Sequence, residues 1–96
     1  MTKEKKGDFT LIVPRGKSDT DNFEINLRDL DEPTFLAASS MLKADKHLEA
    51  IKFLVKSLYV SGDSPDDFVK DFHAVRSAVA PMTELIKPLE GSLKKN

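Results

Sequence analysis

The fold is decided by the stretch FEINLRDLDEPTFLAASSMLK, residues 23–43. It begins with alternating apolar and polar side chains, a period of two that is typical of a strand with one buried face. After Leu27 the apolar residues recur at the wider spacing of an amphipathic helix. Asp31 is placed to cap that helix, and Pro33 is tolerated in its first turn. The stretch therefore predicts a strand followed by a helix that ends near Lys43.

A second alternating segment lies upstream of this stretch. It places Phe9, Leu11 and Val13 on one side of a strand, which Pro14 ends. Residues 15–22, between the two strands, are turn formers and charged residues. We therefore predict an N-terminal β-hairpin with a long loop.

Two further apolar stripes predict helices downstream. We expect Asp45 to cap the second helix and Gly62 to end it in the left-handed conformation. Ser64, followed by a proline, predicts the start of a third helix. Pro81 removes a helix hydrogen bond, so the chain up to Leu89 should be a kinked continuation or a separate short helix. The apolar stripe of the third helix consists of Phe68, Phe72, Val75, Ala78, Val79 and Met82.

Length and composition restrict this chain to one small domain. It has 96 residues, 40% of them hydrophobic and 32% charged, and two separate cores would each have too little material. We predict an α+β domain over residues 9–90, in which the N-terminal β-hairpin packs on a bundle of three to four helices. Residues 1–8 are predicted to form a flexible basic arm, and residues 91–96 a frayed tail.

The composition also argues against several classes of protein. Lysine and arginine number 15 against 16 acidic residues, so the net charge of −1 provides no broad positive field for nucleic acid. Without cysteine, no disulfide, thiolate nucleophile or ordinary structural zinc site is expected. No apolar run approaches the roughly 20 residues that cross a bilayer, and no signal-peptide pattern follows the basic start. We expect a cytoplasmic protein with no membrane partner.

The motifs that carry catalytic or cofactor chemistry are incomplete. Residues 16–18, Gly-Lys-Ser, match the end of a phosphate-binding loop, but Leu11 stands where that loop needs its first glycine. A hairpin is also the wrong context, because phosphate cradling needs a strand followed directly by a helix. His47 and His73 have no second ligand or nucleophile at a suitable spacing. We expect that the protein is not an enzyme and that it binds no cofactor.

An acidic group near the third helix invites a calcium hypothesis. Counted from its first member, Phe68 stands where a calcium loop needs a glycine, and Ala74 where it needs a glutamate. Carboxylates at the start of a helix also stabilise it through the helix dipole. Helix capping is therefore the better explanation, and no metal site is predicted. The group consists of Asp63, Asp66, Asp67 and Asp71.

Each helical segment carries large apolar residues outside its main stripe. Phe53 and Val60, for example, are seven residues apart and share a secondary face of the predicted second helix. A domain of this size has too little material to cover two faces of every helix. Such residues either pack beneath the hairpin or the C-terminal segment, or they contact a partner. The candidate partner-binding residues are Leu36, Phe53, Val60 and Val69.

The order of short segments along the chain is similar to that of a known family. After the lysine-rich start and the hairpin come LRD at 27–29, FLAAS at 35–39, SLYVSGD at 57–63, SAV at 77–79 and ELI at 84–86. This layout, from about residue 8 to residue 96, resembles the small tail assembly chaperones of tailed bacteriophages and prophages.

The resemblance implies a protein that coats a long, helical tape-measure client before the tail tube polymerises. It would keep this client soluble by accepting the client's apolar stripe in a groove, and it would form homo-oligomers. Two alternatives remain open, a structural virion protein and a small nucleic-acid-binding or regulatory module. The nucleic-acid-binding alternative would use Lys43, Lys46, Lys52, Lys56 and Lys70.

Overall fold

A three-stranded antiparallel sheet and four helices make up residues 7–86, the part of the chain that the computed structural model describes. The α+β class and the N-terminal hairpin are therefore confirmed. The strands follow the order β1-β2-β3 in the sheet, and the helices cover one of its faces. The elements are β1 (Phe9–Pro14), β2 (Asn22–Leu27), α1 (Glu32–Lys43), α2 (His47–Leu58), β3 (Tyr59–Gly62), α3 (Pro65–Val69) and α4 (Phe72–Ile86).

The hairpin has the predicted alternation. Phe9 lies opposite Leu27 and Val13 lies opposite Phe23, so the apolar residues of both strands share the face that meets the helices. The other face carries polar side chains, among which the Thr10 hydroxyl donates to the Asn26 side-chain carbonyl at 2.8 Å. A sheet with one wet face and one covered face gives a two-layer domain.

The prediction that Gly62 ends the second helix is wrong. Helix α2 ends at Leu58, and the next four residues form β3, which pairs with β2. Gly62 has φ of +100°, and a Cβ there would lie 2.5 Å from the Glu24 carbonyl oxygen, so the close approach of two strands requires glycine. Val60 is the extra residue of a β-bulge, because Ser61 pairs with Asn26 and Tyr59 already pairs with Leu27.

The predicted cap of α1 is confirmed. One carboxylate oxygen of Asp31 accepts the Thr34 amide at 2.9 Å, and the other receives the Arg28 guanidinium at 2.7 Å. Hydrogen bonds from Thr34, together with Arg28, lower the pKa of Asp31 to about 2. Arg28 also donates to the Ser57 carbonyl at 3.1 Å, so one side chain joins the start of α1 to the end of α2.

The predicted cap of α2 is wrong. The helix begins at His47, Lys46 holds the cap position without a side-chain hydrogen bond, and Asp45 has φ of +60°. Asp45 instead belongs to the end of α1, where its amide donates to the Leu42 carbonyl and the Lys46 amide donates to the Met41 carbonyl. These two bonds form a Schellman motif, which needs a left-handed residue at the position that Asp45 occupies.

The third predicted helix is divided in two. Ser64 caps α3 as expected, but α3 ends at Val69, and α4 begins at Phe72. Asp71 separates them because its carboxylate accepts the Ala74 amide at 3.1 Å, which makes it the cap of a new helix. The expectation that Phe72 belongs to the buried stripe is wrong, since this side chain is 55% exposed. Helix α4 continues through Pro81 to Ile86, where the described part ends.

The core lies between the sheet and the helices, and α2 and α4 supply much of it. The Phe23 and Phe68 rings meet edge to face at its centre, with 5.8 Å between centroids. The buried apolar residues that form this contiguous cluster are Leu11, Val13, Phe23, Ile25, Leu27, Ala38, Ile51, Leu54, Val55, Leu58, Phe68, Ala74, Val75, Ala78, Met82 and Ile86.

The predicted arm and tail fall mostly outside the described residues. Of the arm, Gly7 and Asp8 are described, and the Asp8 carboxylate accepts the Asp29 amide at 2.8 Å. Residues 87–96, which include the predicted frayed tail and the chain up to Leu89, lie outside the described part. None of the helices between residues 7 and 86 has the length and apolar character that a bilayer span requires.

Candidate functional site

Helix α4 and strand β1 lie side by side and run in opposite directions. Pro14, at the end of β1, lies near His73 in the first turn of α4, whereas Phe9, at the start of β1, lies near Leu85 in the last turn. The centre of this pair is closed by buried side chains. At each end the two elements leave a depression in the surface.

The depression at the Phe9 end is an apolar groove of about 290 Å³. Phe9 faces the helical side of the sheet, yet it is 45% exposed because it lies at the margin that α4 does not cover. Met82 forms part of the groove floor and belongs to the buried core, so the groove is continuous with the interior. Thr10 and Glu84 are its polar members, and its apolar lining consists of Phe9, Leu11, Leu27, Pro81, Met82 and Leu85.

The position of the groove follows from the local sequence. Among the described residues strand β1 pairs only with β2, so it forms an edge of the sheet. Pro81 has no amide hydrogen and stands exposed in α4, with Met82 and Leu85 on the face toward β1. Phe9 is the first residue of β1 and Leu85 lies in the last described turn of α4, and within residues 7–86 no side chain closes the groove over them.

The four predicted partner-binding residues have different environments. Leu36 is 56% exposed on α1, whereas Phe53, Val60 and Val69 are half-buried. Phe53 and Val69 pack against the core. The lining of the apolar groove includes none of these four residues. Leu36 is thus an exposed apolar side chain. The four residues do not share either of the depressions beside α4 and β1.

Sequence reasoning missed the most exposed apolar residues of the strands and of α4. Phe9 and Phe72 fit the apolar stripes of their elements, and Ile12, at 57% exposure, points to the wet face of the sheet. A stripe shows which face of an element is apolar, but not whether a neighbour reaches its end. Each of the two elements also contains a proline, Pro14 in β1 and Pro81 in α4. These prolines were the available sequence signal that β1 and α4 are not covered by neighbours along their whole length.

The charged residues that we considered as sites serve local structure. Asp63 pairs with Arg15 at 3.1 Å and accepts the Glu24 amide at 2.8 Å, which ties β3 to β2. Lys56, from the candidate nucleic-acid set, forms an ion pair with Asp66 at 3.4 Å. Between residues 7 and 86 no three histidine or carboxylate side chains are grouped as metal ligands would be.

We compared the chain with protein-family models, with curated proteins and with solved structures. No match was found in any of the three comparisons. Function is therefore inferred from the residues and geometry of this chain.

Proposed function

We propose that this protein binds a helical client protein and keeps it soluble during assembly, as the tail assembly chaperones that its sequence resembles do. The observation that carries the proposal is the apolar groove between β1 and α4, in which the exposed Phe9 side chain lies beside Leu85. An open apolar depression that continues into the core is a site for a partner's apolar side chains.

The shape and lining of the groove favour a helix as the occupant. An amphipathic helix presents apolar side chains in a stripe, and such a stripe fits between the ring of Phe9 and the side chain of Leu85. Glu84 at the rim favours a client with lysine or arginine beside its stripe. The long tape-measure client that the resemblance implies would offer many such stripes in succession.

The size of the groove sets how the client is held. Stable protein interfaces bury roughly 1,200–2,000 Å², and a groove of about 290 Å³ accepts only one or two anchoring side chains. Each copy should therefore bind weakly, and a long client would be covered by several copies acting together. Weak individual contacts also allow the copies to be released when the client is assembled. Leu36, exposed on α1, is our candidate for contacts between copies in a homo-oligomer.

The proposal is tested with the client that it implies. The gene beside the one encoding this chain should contain a very long, mainly helical reading frame, and the absence of such a frame would contradict the assembly role. Co-expression of the two proteins should raise the soluble fraction of the client. Phe9→Asp should abolish this effect, because a carboxylate in the groove would lose its hydration when the client binds.

Ile12→Asp is the matched control, because Ile12 is a similarly exposed apolar residue of the same strand on the opposite face of the sheet. It should leave the client soluble. Leu36→Asp should alter the mass of the assembly while a single copy still binds the client. Equal solubilisation by the wild type and Phe9→Asp, or a loss of solubilisation confined to Ile12→Asp, would refute binding in the groove.

A further inference from the structure

The second depression between β1 and α4 is formed where the β1–β2 loop meets the start of the helix. The Gly16 amide donates to the Asp71 carboxylate at 2.7 Å, which fixes the loop against α4. Gly16 has φ of +53°, and this left-handed turn directs the loop across the helix. The result is an open cleft of about 440 Å³, which we call the basic cleft. Its lining is Pro14, Gly16, Lys17, Ser18, His73, Arg76 and Ser77.

Three basic side chains meet in the basic cleft from two different elements. Lys17 comes from the loop, and His73 and Arg76 come from successive turns of α4. Within residues 7–86 none of the three forms an ion pair, whereas Arg15 is paired with Asp63 and Arg28 with Asp31. Lys17 and Arg76 thus place two positive charges in one depression, and such a depression attracts an anion.

The exposed Phe72 ring holds two of these basic groups in place. The Arg76 guanidinium lies over the ring at 5.4 Å from its centroid, and the His73 ring meets it edge-on at 5.7 Å. An aromatic surface that supports a guanidinium reduces the entropy that the side chain loses when it binds a ligand. This contact gives Phe72 a role that its exposure alone does not explain.

Asp71, which holds the loop beside the basic cleft, uses both of its carboxylate oxygens as hydrogen-bond acceptors. One carboxylate oxygen of Asp71 accepts the Gly16 amide, and the other accepts the Ala74 amide at 3.1 Å. Asp71 therefore holds the loop against the helix, and within residues 7–86 it forms no ion pair with Lys17 or Arg76. The serine hydroxyls of Ser18 and Ser77 add neutral donors at the margin.

We propose that the basic cleft binds the phosphate group of a small organic phosphate. Arg76 provides a planar, two-pronged donor that matches phosphate oxygens, and Lys17 provides a point charge from the opposite wall. The basic cleft is an open depression of about 440 Å³, which has room for a group larger than a bare phosphate. A nucleotide and a sugar phosphate both carry the required group. This site is separate from the apolar groove, so its test does not depend on the proposed client.

The test is a titration of the whole chain, followed by amide chemical shifts, with adenosine monophosphate, glucose 6-phosphate and inorganic phosphate in turn. Ionic strength is held constant with chloride so that general screening does not contribute. We expect saturable shifts centred on Gly16, Lys17, His73 and Arg76. Equal affinity for the two organic phosphates would assign recognition to the phosphate alone, and tighter binding of the nucleotide would add a contact to its base. Either result supports the proposal.

Charge-reversal variants identify the groups that bind. Lys17→Glu and Arg76→Glu should each weaken binding by about tenfold or more, since a charge-assisted hydrogen bond is lost and a repulsive charge is added. Lys43→Glu is the control, because it makes the same change in net charge at an exposed position outside the basic cleft. Thermal melting of all three variants verifies that they are folded.

Three results would overturn the proposal. The first is the absence of saturable shifts with any of the three phosphates. The second is an equal loss of affinity in Lys43→Glu. The third comes from a single-stranded oligonucleotide titrated in the same way: if it alone binds, with shifts spread over the lysines of α1 and α2, a nucleic-acid-binding protein is favoured instead.

Discussion

The two ends of the α4–β1 pair are built from the same two elements, yet they offer opposite chemistry. At the start of α4 the surface carries unpaired cations around Lys17 and Arg76, and at its end it carries the apolar side chains of Phe9 and Leu85. Both ends are open because the elements pack closely only at their centre. The buried stripe of α4 therefore determines its place in the fold, whereas the residues at its two ends determine what it can bind.

The largest expected effect is a loss of stability that disrupts both the apolar groove and the basic cleft. Phe68→Ala removes a fully buried ring that meets Phe23 edge to face, and it should lower the free energy of unfolding by about 3–5 kcal/mol. Unfolding in urea measures this loss. Phe72→Ala is the matched control, because the same deletion at an exposed ring should cost about 0.5 kcal/mol or less. Equal losses in the two variants would mean that the core is not arranged as described.

A second substitution should lower stability without altering the apolar groove or the basic cleft. Gly62→Ala forces a positive φ on alanine and places its Cβ against the Glu24 carbonyl oxygen, so we expect a loss of about 1–3 kcal/mol. Amide shifts at the groove and the basic cleft should stay unchanged. Gly16→Ala is the matched comparison. Gly16 also has a positive φ, but the nearest atom to a Cβ at this position would be Asp71 Oδ2 at 3.9 Å. Gly16→Ala should therefore lower the free energy of unfolding by less than Gly62→Ala does. Equal losses in the two variants would contradict the close approach of β3 to β2.

A third substitution should open one end and spare the other. Asp71→Ala removes both the cap of α4 and the acceptor of the Gly16 amide, and it should cost about 1–2 kcal/mol. Hydrogen exchange of the Gly16 amide should accelerate by more than this loss of stability accounts for, whereas exchange at Leu11 should accelerate at most in proportion to the loss. The control is Asp67→Ala, at an exposed position on α3. An acceleration at Leu11 that exceeds the measured loss of stability would show that the two ends are not independent.

The smallest expected effect concerns α1, which lines neither depression. The pKa of Asp31 is about 2 in the folded protein, below its ordinary value of 3.8, because Thr34 and Arg28 favour the ionised carboxylate. The stabilisation is therefore fully present above pH 3.8 and is lost as the pH falls toward 2. Asp31→Asn should be less stable than the wild type at neutral pH, and this difference should shrink through that window. A difference that does not vary with pH would contradict the lowered pKa.

The parts of this fold that depend on neighbours in sequence were predictable. The hairpin, the Asp31 cap and the Ser64 cap follow from local periodicity and side-chain chemistry. Strand β3 was not predictable in this way, because a glycine such as Gly62 suits both a helix end and a close approach of strands. Only pairing with β2, far away in the sequence, decides between these two roles.

The candidate sites depend even more on distant contacts. The basic cleft exists because Gly16 reaches Asp71, which lies 55 positions later in the chain. Residues 16–18 do not predict the cleft, because as a phosphate-binding loop they lack the first glycine and no helix follows them directly. The exposure of Phe9 depends on how far α4 extends over β1, which no local pattern records.

The most direct measurement of the central claim is site-specific photo-crosslinking in the presence of the long helical client. A benzophenone side chain at the position of Phe9 or Leu85 should form a covalent adduct with the client, because both positions line the apolar groove. The same group in place of Ile12, on the opposite face of the sheet, should form none. Adducts from the Ile12 position, with none from Phe9 or Leu85, would contradict client binding between β1 and α4.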